Sequence, residues 1–144
     1  MKLVRYGLPG QEKPGVLDRS GKIRDLGNIV KDLAGAELLP SALQRLATQD
    51  LSALPVVEGT PRLGPCIGIV SKVIGVGFNY ANHIQETSAK TLKEPLLFQK
   101  ATSAISGPND PIVIPRNSQK TDWEVELGVV IGRTAKYVQQ EEAL

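Results

Sequence analysis

The sequence predicts a mixed α+β fold that is rich in strands and begins with a small antiparallel domain. Near the start, three segments have the character of short strands: Lys2–Tyr6, Gly15–Asp18 and Lys22–Leu26. Arg19-Ser20-Gly21 lies between the last two segments and predicts a tight hairpin turn. Together these features indicate a small antiparallel unit at the start of the chain.

A short amphipathic helix is expected after the leading strands. Leucines recur at helical spacing over Pro40–Thr48, and Ser41 with Gln44 three residues later resembles a capping box. The next segment, Leu54–Pro65, contains three prolines and two glycines, a density of backbone breakers that favours an extended connector. We therefore predict two domains: a small leading domain with its linker in residues 1–65, and a second domain in residues 66–144.

The composition shows no strong electrostatic bias. Of the 144 residues 41% are hydrophobic, and 17 Lys and Arg against 15 Asp and Glu leave a net charge of +2. So small a charge offers little field for steering nucleic acid or an anionic membrane, and no apolar run approaches the ~20 residues of a spanning helix. The first residues do not resemble a secretory signal, and Cys66 alone cannot form an internal disulfide. We expect a cytoplasmic protein without a nucleic-acid or membrane partner.

The second part of the chain is predicted to contain more strands than helices. Lys72–Phe78 and Leu96–Gln99 are expected as strands, with a helix over Ala81–Ala89 between them. Turn-forming residues at 107–110 and 115–118 enclose a short apolar segment, Ile112–Ile114, which is predicted as a further strand. The last residues, 139–144, are expected to begin a helix.

The segment Asp122–Gly132 carries the first candidate for chemistry. Side chains alternate faces on a strand, so Glu124 and Glu126 would share a face with Asp122, and Trp123 would pack on the opposite, core side. The Cα atoms of the two glutamates would lie about 6–7 Å apart, and their side chains could close on one ion. Oxygen ligands favour Mg²⁺, Mn²⁺ or Ca²⁺ over Zn²⁺. The alternative is a half-buried strand whose acidic face is simply solvated.

His83, the only histidine in the chain, is the candidate general base. On a helix, His83 and Glu86 lie three residues apart on one face, where the carboxylate could orient the imidazole and raise its basicity. Such a pair could activate a water molecule. The alternative is a surface histidine that forms an ordinary helix pair with a carboxylate.

Two cations and one glycine motif complete the set of candidates. Lys100, which follows an apolar segment, could bind a substrate carboxylate, and Arg116 could bind an anionic substrate from its turn-rich loop. For both residues, a solvated side chain is the simpler interpretation. Gly75 and Gly77 lack the third glycine of a dinucleotide-binding loop, so no nucleotide cofactor is expected.

The order of five motifs resembles the fumarylacetoacetate hydrolase family. In chain order they are Val76–Tyr80, then His83 with Glu86, then Glu94–Lys100, then Ser106–Ile112, and finally Asp122–Gly132. The resemblance covers about residues 70–138. Residues 1–65 are similar to the leading domain of the branch that contains ureidoglycolate lyases and diketo-deoxy sugar acid hydrolases.

The resemblance implies a fold and a role for each candidate residue. Residues 66–144 would be the first part of a β-roll of mixed sheets, in a protein that is usually a homodimer. Glu124 and Glu126 would be two of three carboxylate ligands to Mg²⁺ or Mn²⁺, and His83 with Glu86 would activate water. Enzymes of this family act mainly on small 2-oxo acids, and a 2,4-dioxo acid would be hydrolysed at a carbon-carbon bond.

The resemblance also implies that a third metal ligand and a substrate-binding lysine would lie beyond Leu144. We therefore expect the 144-residue chain to be an inactive amino-terminal fragment of a metal-dependent hydrolase or lyase. Two alternatives remain open. One is a ureidoglycolate lyase, which cleaves a carbon-nitrogen bond and releases urea and glyoxylate, and the other is a gene remnant that has lost catalysis.

Overall fold

A three-stranded antiparallel sheet opens the computed structural model, which describes residues 1–86 and 93–143. Its strands are β1 (Lys2–Tyr6), β2 (Lys13–Leu17) and β3 (Ile23–Asp25), and β2 lies in the middle. The three predicted leading strands are confirmed. β2 begins earlier than the sequence predicts, at Lys13, because Lys13 pairs with Tyr6 at the far end of β1.

The predicted turn between β2 and β3 is also confirmed. The amide of Asp18 donates to the carbonyl oxygen of Lys22 (2.9 Å), and the amide of Gly21 donates to the carbonyl oxygen of Asp18 (3.0 Å). Gly21 has a φ of 80°, which glycine adopts without steric strain. The Asp18 carboxylate accepts hydrogen bonds from Ser20 and Arg24, which hold the pKa of this carboxyl well below its usual range.

Helix α1 (Pro40–Ala47) covers the leading sheet and completes a small core. Leu39 is the N-cap residue and makes no side-chain capping hydrogen bond, so the predicted capping box of Ser41 and Gln44 is wrong. The helix begins at Pro40 instead, where the missing amide costs no hydrogen bond. Short 3₁₀ turns at 35–38 and 51–53 flank α1. The core that results consists of Val16, Leu26, Val30, Leu33 and Leu46.

The connector Leu54–Pro65 lies against both edges of the leading sheet. Val56 forms a bridge with Arg24 beside β3, and Leu63 forms a bridge with Tyr6 beside β1. Backbone hydrogen bonds of 2.8–2.9 Å accompany both bridges. The connector is extended, as predicted, and it also covers edge strands that would otherwise present unpaired backbone groups.

A second sheet follows, made of β4 (Val73–Gly77) and β5 (Leu96–Lys100) in antiparallel pairing. Gly75 lies opposite Phe98, and a Cβ atom at this position would collide with the phenyl ring. Helix α2 (Ala81–Glu86) comes between these strands in the sequence. Both strands and the helix are confirmed over these residues, whereas the rest of the predicted helix, 87–89, lies outside the described part of the chain.

The strands predicted at Ile112–Ile114 and Asp122–Gly132 are wrong, because neither segment belongs to a sheet among residues 1–86 and 93–143. A strand needs a neighbour for its backbone groups, and no strand among the described residues pairs with either segment. Trp123 is 78% exposed, so its predicted core position is wrong too. A short 3₁₀ turn at 102–104 follows β5, and another at 140–142 stands where a helix was expected to begin.

These elements confirm a mixed α+β class for the chain, with two small antiparallel sheets and a few short helices. A search of the described helices finds none with the length and apolar character needed to cross a membrane.

Candidate active site

Helix α2 carries the proposed base and its carboxylate partner. β4 ends at Gly77, and Phe78 then adopts a φ of 53°, a left-handed conformation that turns the chain into the helix. The first turn is closed by the amide of Ile84, which donates to the carbonyl oxygen of Tyr80 (3.2 Å). His83 and Glu86 therefore lie three residues apart on one helix, as the sequence predicts, and both are exposed.

The ring of Phe78 lies beside the proposed base. The centroids of the Phe78 and His83 rings are 5.9 Å apart, and the two planes are tilted by 36°. The separation lies within the roughly 4.5–7 Å over which aromatic rings pack against each other. The imidazole of His83 thus has an apolar neighbour, the ring of Phe78, which is also the residue at which the backbone turns into α2.

The acidic segment at 122–127 contacts the start of α2. The backbone amide of Leu127 donates a hydrogen bond of 2.7 Å to the phenolic oxygen of Tyr80. Glu126 is the residue before Leu127, and Glu124 lies two residues further back, both exposed. This hydrogen bond therefore joins the segment that bears Glu124 and Glu126 to Tyr80, which lies three residues before His83.

The fit of this segment to a divalent cation is partial. Glu124 and Glu126 supply the carboxylate oxygens that Mg²⁺ and Mn²⁺ prefer. However, a search of residues 1–86 and 93–143 finds no group of three or more His, Cys, Asp or Glu side chains that could hold a metal ion. The two glutamates thus have the right chemistry, but the described residues do not complete a cage around an ion.

Lys100 and Arg116 do not join the acidic pair. Lys100 ends β5 and places its ammonium group 6.0 Å from the ring centroid of Phe98. Arg116 is exposed in the predicted turn at 115–118, where the amide of Ser118 donates to the carbonyl oxygen of Pro115 (3.1 Å). Their roles in substrate binding stay predictions.

An ion-pair cluster connects the leading sheet and the connector to the turn at 107–110, and the sequence interpretation did not include it. The guanidinium of Arg62 donates to Asp110 Oδ1 (2.6 Å) and, through a different nitrogen, to Glu12 Oε1 (3.0 Å). Arg5 lies on the other side of Glu12, at 3.7 Å, and forms two hydrogen bonds to Asp32 of 2.7 and 3.1 Å. We call these five residues the junction cluster.

The junction cluster changes the acidity of its carboxyl groups. The hydrogen bond from Arg62 is the main cause that lowers the pKa of Glu12, and the same guanidinium lowers the pKa of Asp110. Asp110 also accepts the amide of Gly107 (2.7 Å), which closes the turn. A Cβ atom at Gly107 would collide with the carbonyl oxygen of Leu63, so glycine lets this turn lie directly on the connector.

The sequence held one signal for this cluster. Gly107-Pro108-Asn109-Asp110 predicts a turn, and the turn is confirmed by the hydrogen bond from the Asp110 amide to the Gly107 carbonyl oxygen (3.2 Å). Nothing in the spacing indicates that Arg62, 48 residues earlier in the chain, would bind Asp110, the last residue of this turn.

A comparison with known families matches residues 72–144 to the model described as "Fumarylacetoacetate (FAA) hydrolase C-terminal". The matched part, half of the chain, contains β4, α2, β5 and the acidic segment. It therefore includes every candidate site residue predicted from the sequence.

Curated proteins from three species resemble the whole chain, and each is named "Putative hydrolase". The chain is 58% identical to the protein from Burkholderia ambifaria, and 57% identical to those from Burkholderia cenocepacia and Burkholderia multivorans. Each alignment covers 100% of this chain and 51% of the relative. The chain thus spans about half the length of the curated relatives that it matches.

Proposed function

The chain belongs to the fumarylacetoacetate hydrolase family, and from this membership we propose that it forms part of a divalent-metal-dependent hydrolase of small 2,4-dioxo acids. The name "Putative hydrolase", which each of these relatives bears, supports the reaction class. In this proposal residues 1–65 are a leading domain with its linker, and residues 66–144 contribute to a catalytic β-roll. The whole protein would be a cytoplasmic homodimer.

The observation that carries the proposal is the hydrogen bond between Tyr80 and Leu127. It joins two segments that the sequence selects for different reasons: one bears a histidine with a carboxylate, and the other bears two carboxylates. The proposed hydrolysis would use a base near an anionic metal-binding pair, since water must be activated next to the place where the substrate's oxygens are held.

His83 is proposed to move the protons of the reaction. The imidazole accepts a proton from water, and Glu86 on the same helix face favours the imidazolium that results. The hydroxide adds to carbon 4 of the dioxo acid, the bond between carbons 3 and 4 breaks, and its electron pair passes to carbon 3 as an enolate. His83 returns the proton to carbon 3, which leaves a carboxylic acid and a 2-oxo acid.

Glu124 and Glu126 are proposed as two of the ligands to Mg²⁺ or Mn²⁺, with further ligands from outside the described residues. A bound divalent ion would supply Lewis-acid stabilisation of negative charge on the oxo acid. Lys100 and Arg116 are proposed to attract the substrate carboxylate.

Product analysis tests the proposed reaction. The chain, alone and mixed with the second half of the Burkholderia ambifaria relative, is incubated with a 2,4-dioxo acid and Mn²⁺. We expect a 2-oxo acid and a carboxylic acid in the mixture, and a loss of roughly 10²- to 10⁴-fold in rate for His83→Asn. Arg19→Ala, in the leading turn, is the matched control and should leave the rate unchanged.

Two results would contradict the proposal. Urea and glyoxylate formed from ureidoglycolate, without turnover of the dioxo acid, would identify the carbon-nitrogen lyase instead. Absence of turnover of either substrate in every mixture would favour the remnant that has lost catalysis.

A further inference from the structure

We propose that Tyr80 is a positioning residue that ties the helix bearing His83 and Glu86 to the segment bearing Glu124 and Glu126. The inference rests on the proposed function, because it treats these four residues as parts of one site. Tyr80 itself touches none of the reacting atoms in this account. It acts through the position of the two segments that it joins.

Tyr80 contacts both segments through different groups. Its carbonyl oxygen accepts the amide of Ile84 (3.2 Å), the hydrogen bond that closes the first turn of α2. Its phenolic oxygen accepts the amide of Leu127 (2.7 Å), although the two residues are 47 positions apart in the chain. Because Leu127 directly follows Glu126, a shift of the phenol changes where the acidic segment lies relative to His83.

Phe78 sets the direction in which the chain leaves β4 towards Tyr80 and α2. Its φ of 53° is rare for a residue with a bulky side chain and persists only where the surrounding structure holds it. The Phe78 ring also lies near the His83 ring, at 5.9 Å between centroids. The strained backbone therefore lies between the strand and the two contacts that locate α2.

A surface contact without a positioning role is the simpler alternative, since Tyr80 is 44% exposed and Leu127 is 81% exposed. The two interpretations predict different behaviour for the NMR resonance of the His83 ring. A mere surface hydrogen bond affects only Leu127, whereas a positioning residue also changes the surroundings of His83.

The test compares Tyr80→Phe, which removes the phenolic acceptor and keeps the ring, with Tyr137→Phe as a matched control. Tyr137 is 91% exposed and its ring lies near Lys136, in a different part of the chain. Two signals are followed by NMR in the full 144-residue chain. They are the hydrogen exchange of the Leu127 amide and the ring resonance of His83, which is unambiguous because the chain has one histidine.

The proposal predicts changes in both signals for Tyr80→Phe. Exchange of the Leu127 amide should quicken by roughly 2- to 12-fold, which corresponds to the ~0.5–1.5 kcal/mol of one hydrogen bond. The ring resonance of His83 should shift, and Tyr137→Phe should leave both signals as in the wild type. Leu127→Pro removes the donor instead of the acceptor and should reproduce the His83 shift.

The proposal is overturned if the His83 resonance in Tyr80→Phe and Leu127→Pro matches that of the control. A third arm separates this failure from failure of the proposed function. Mn²⁺ broadens the resonances of nearby protons, so broadening of the His83 signal in the wild type tests whether a metal site lies beside the base. If Mn²⁺ has no such effect even when the chain is mixed with the second half of the Burkholderia ambifaria relative, the metal-dependent function fails, and the shift of the His83 resonance still decides the role of Tyr80.

Discussion

The first 65 residues and the family-matched half of the chain both contain apolar, strand-forming segments, yet they place their apolar side chains differently. In the first, Val16 and Leu26 are fully buried beneath α1. In the second, Val125 and Leu127 are each 81% exposed, and Trp123 is 78% exposed. The comparison teaches that an apolar pattern specifies a buried face only where a second element is available to cover it.

The difference extends to backbone pairing. β1 and β3 are edge strands of the leading sheet, and the connector covers both edges through Leu63 and Val56. In the family-matched half, residues 112–114 and 122–132 belong to no sheet among the described residues. The junction cluster, which centres on Glu12 and Arg62, is the polar link between the two halves.

The largest effect is expected from a matched pair of leucine substitutions, one in each half. Leu26→Ala should lower the free energy of unfolding by about 2–5 kcal/mol, because it opens a cavity in the core. Leu127→Ala should change it by less than about 0.5 kcal/mol, because that side chain is exposed. Urea denaturation followed by circular dichroism measures both. Equal losses for the two variants would show that Leu127 is buried in solution.

A smaller loss is expected when the link between the halves is cut. Arg62→Ala removes the hydrogen bonds to Glu12 and Asp110 and leaves the Glu12 side chain, only 6% exposed, without its closest cation. The chain should be less stable than the control Arg19→Ala but more stable than the core variant. Exchange of the Gly107 amide should quicken by about tenfold, since its acceptor Asp110 is released. Unchanged exchange at Gly107 would contradict the link.

Acid should weaken the same link. Arg62 holds the pKa of Glu12 and of Asp110 below their usual values, so the unfolded chain takes up protons first as the pH falls. The stability that these groups contribute is therefore fully present above about pH 5 and is lost progressively below it. Urea midpoints between pH 7 and pH 3 measure this loss. It should be smaller in Arg62→Ala, where Asp18 keeps its own contribution, and an equal loss in that variant would refute the assignment.

The smallest effect concerns the single tryptophan. Trp123→Phe should change the free energy of unfolding by less than about 0.5 kcal/mol, because the indole is 78% exposed. Fluorescence of the wild type should show an emission maximum typical of a solvated indole that hardly moves on addition of urea. A blue-shifted maximum that moves to longer wavelength in urea would place Trp123 in a core, as the sequence pattern predicts.

Features set by neighbouring residues could be predicted from the sequence, and features set by distant ones could not. The turn at 19–21 follows from its own residues, and β4, α2 and β5 follow from local patterns. The alternation in Asp122–Gly132 indicates which side chains would share a face of a strand, but it cannot supply the neighbouring strand. The contacts of Arg62 with Asp110 and of Tyr80 with Leu127 join residues 48 and 47 positions apart, and no spacing rule predicts them.

For the candidate site, the structure tests only where the predicted residues lie in the fold. His83 and Glu86 lie on a helix as predicted, because helical spacing is a local property. The metal roles of Glu124 and Glu126 stay predictions, since the described residues offer no third ligand beside them.

Calorimetry of Mn²⁺ binding tests the central claim most directly, in the 144-residue chain alone and mixed with the second half of the Burkholderia ambifaria relative. The account predicts weak binding to the chain and tighter binding in the mixture, both lost when Glu124→Gln and Glu126→Gln are combined. The control combines Glu141→Gln and Glu142→Gln, an equally exposed acidic pair, and should bind as the wild type does. Equal binding by both double variants, or no binding in any mixture, would contradict a metal site at Glu124 and Glu126.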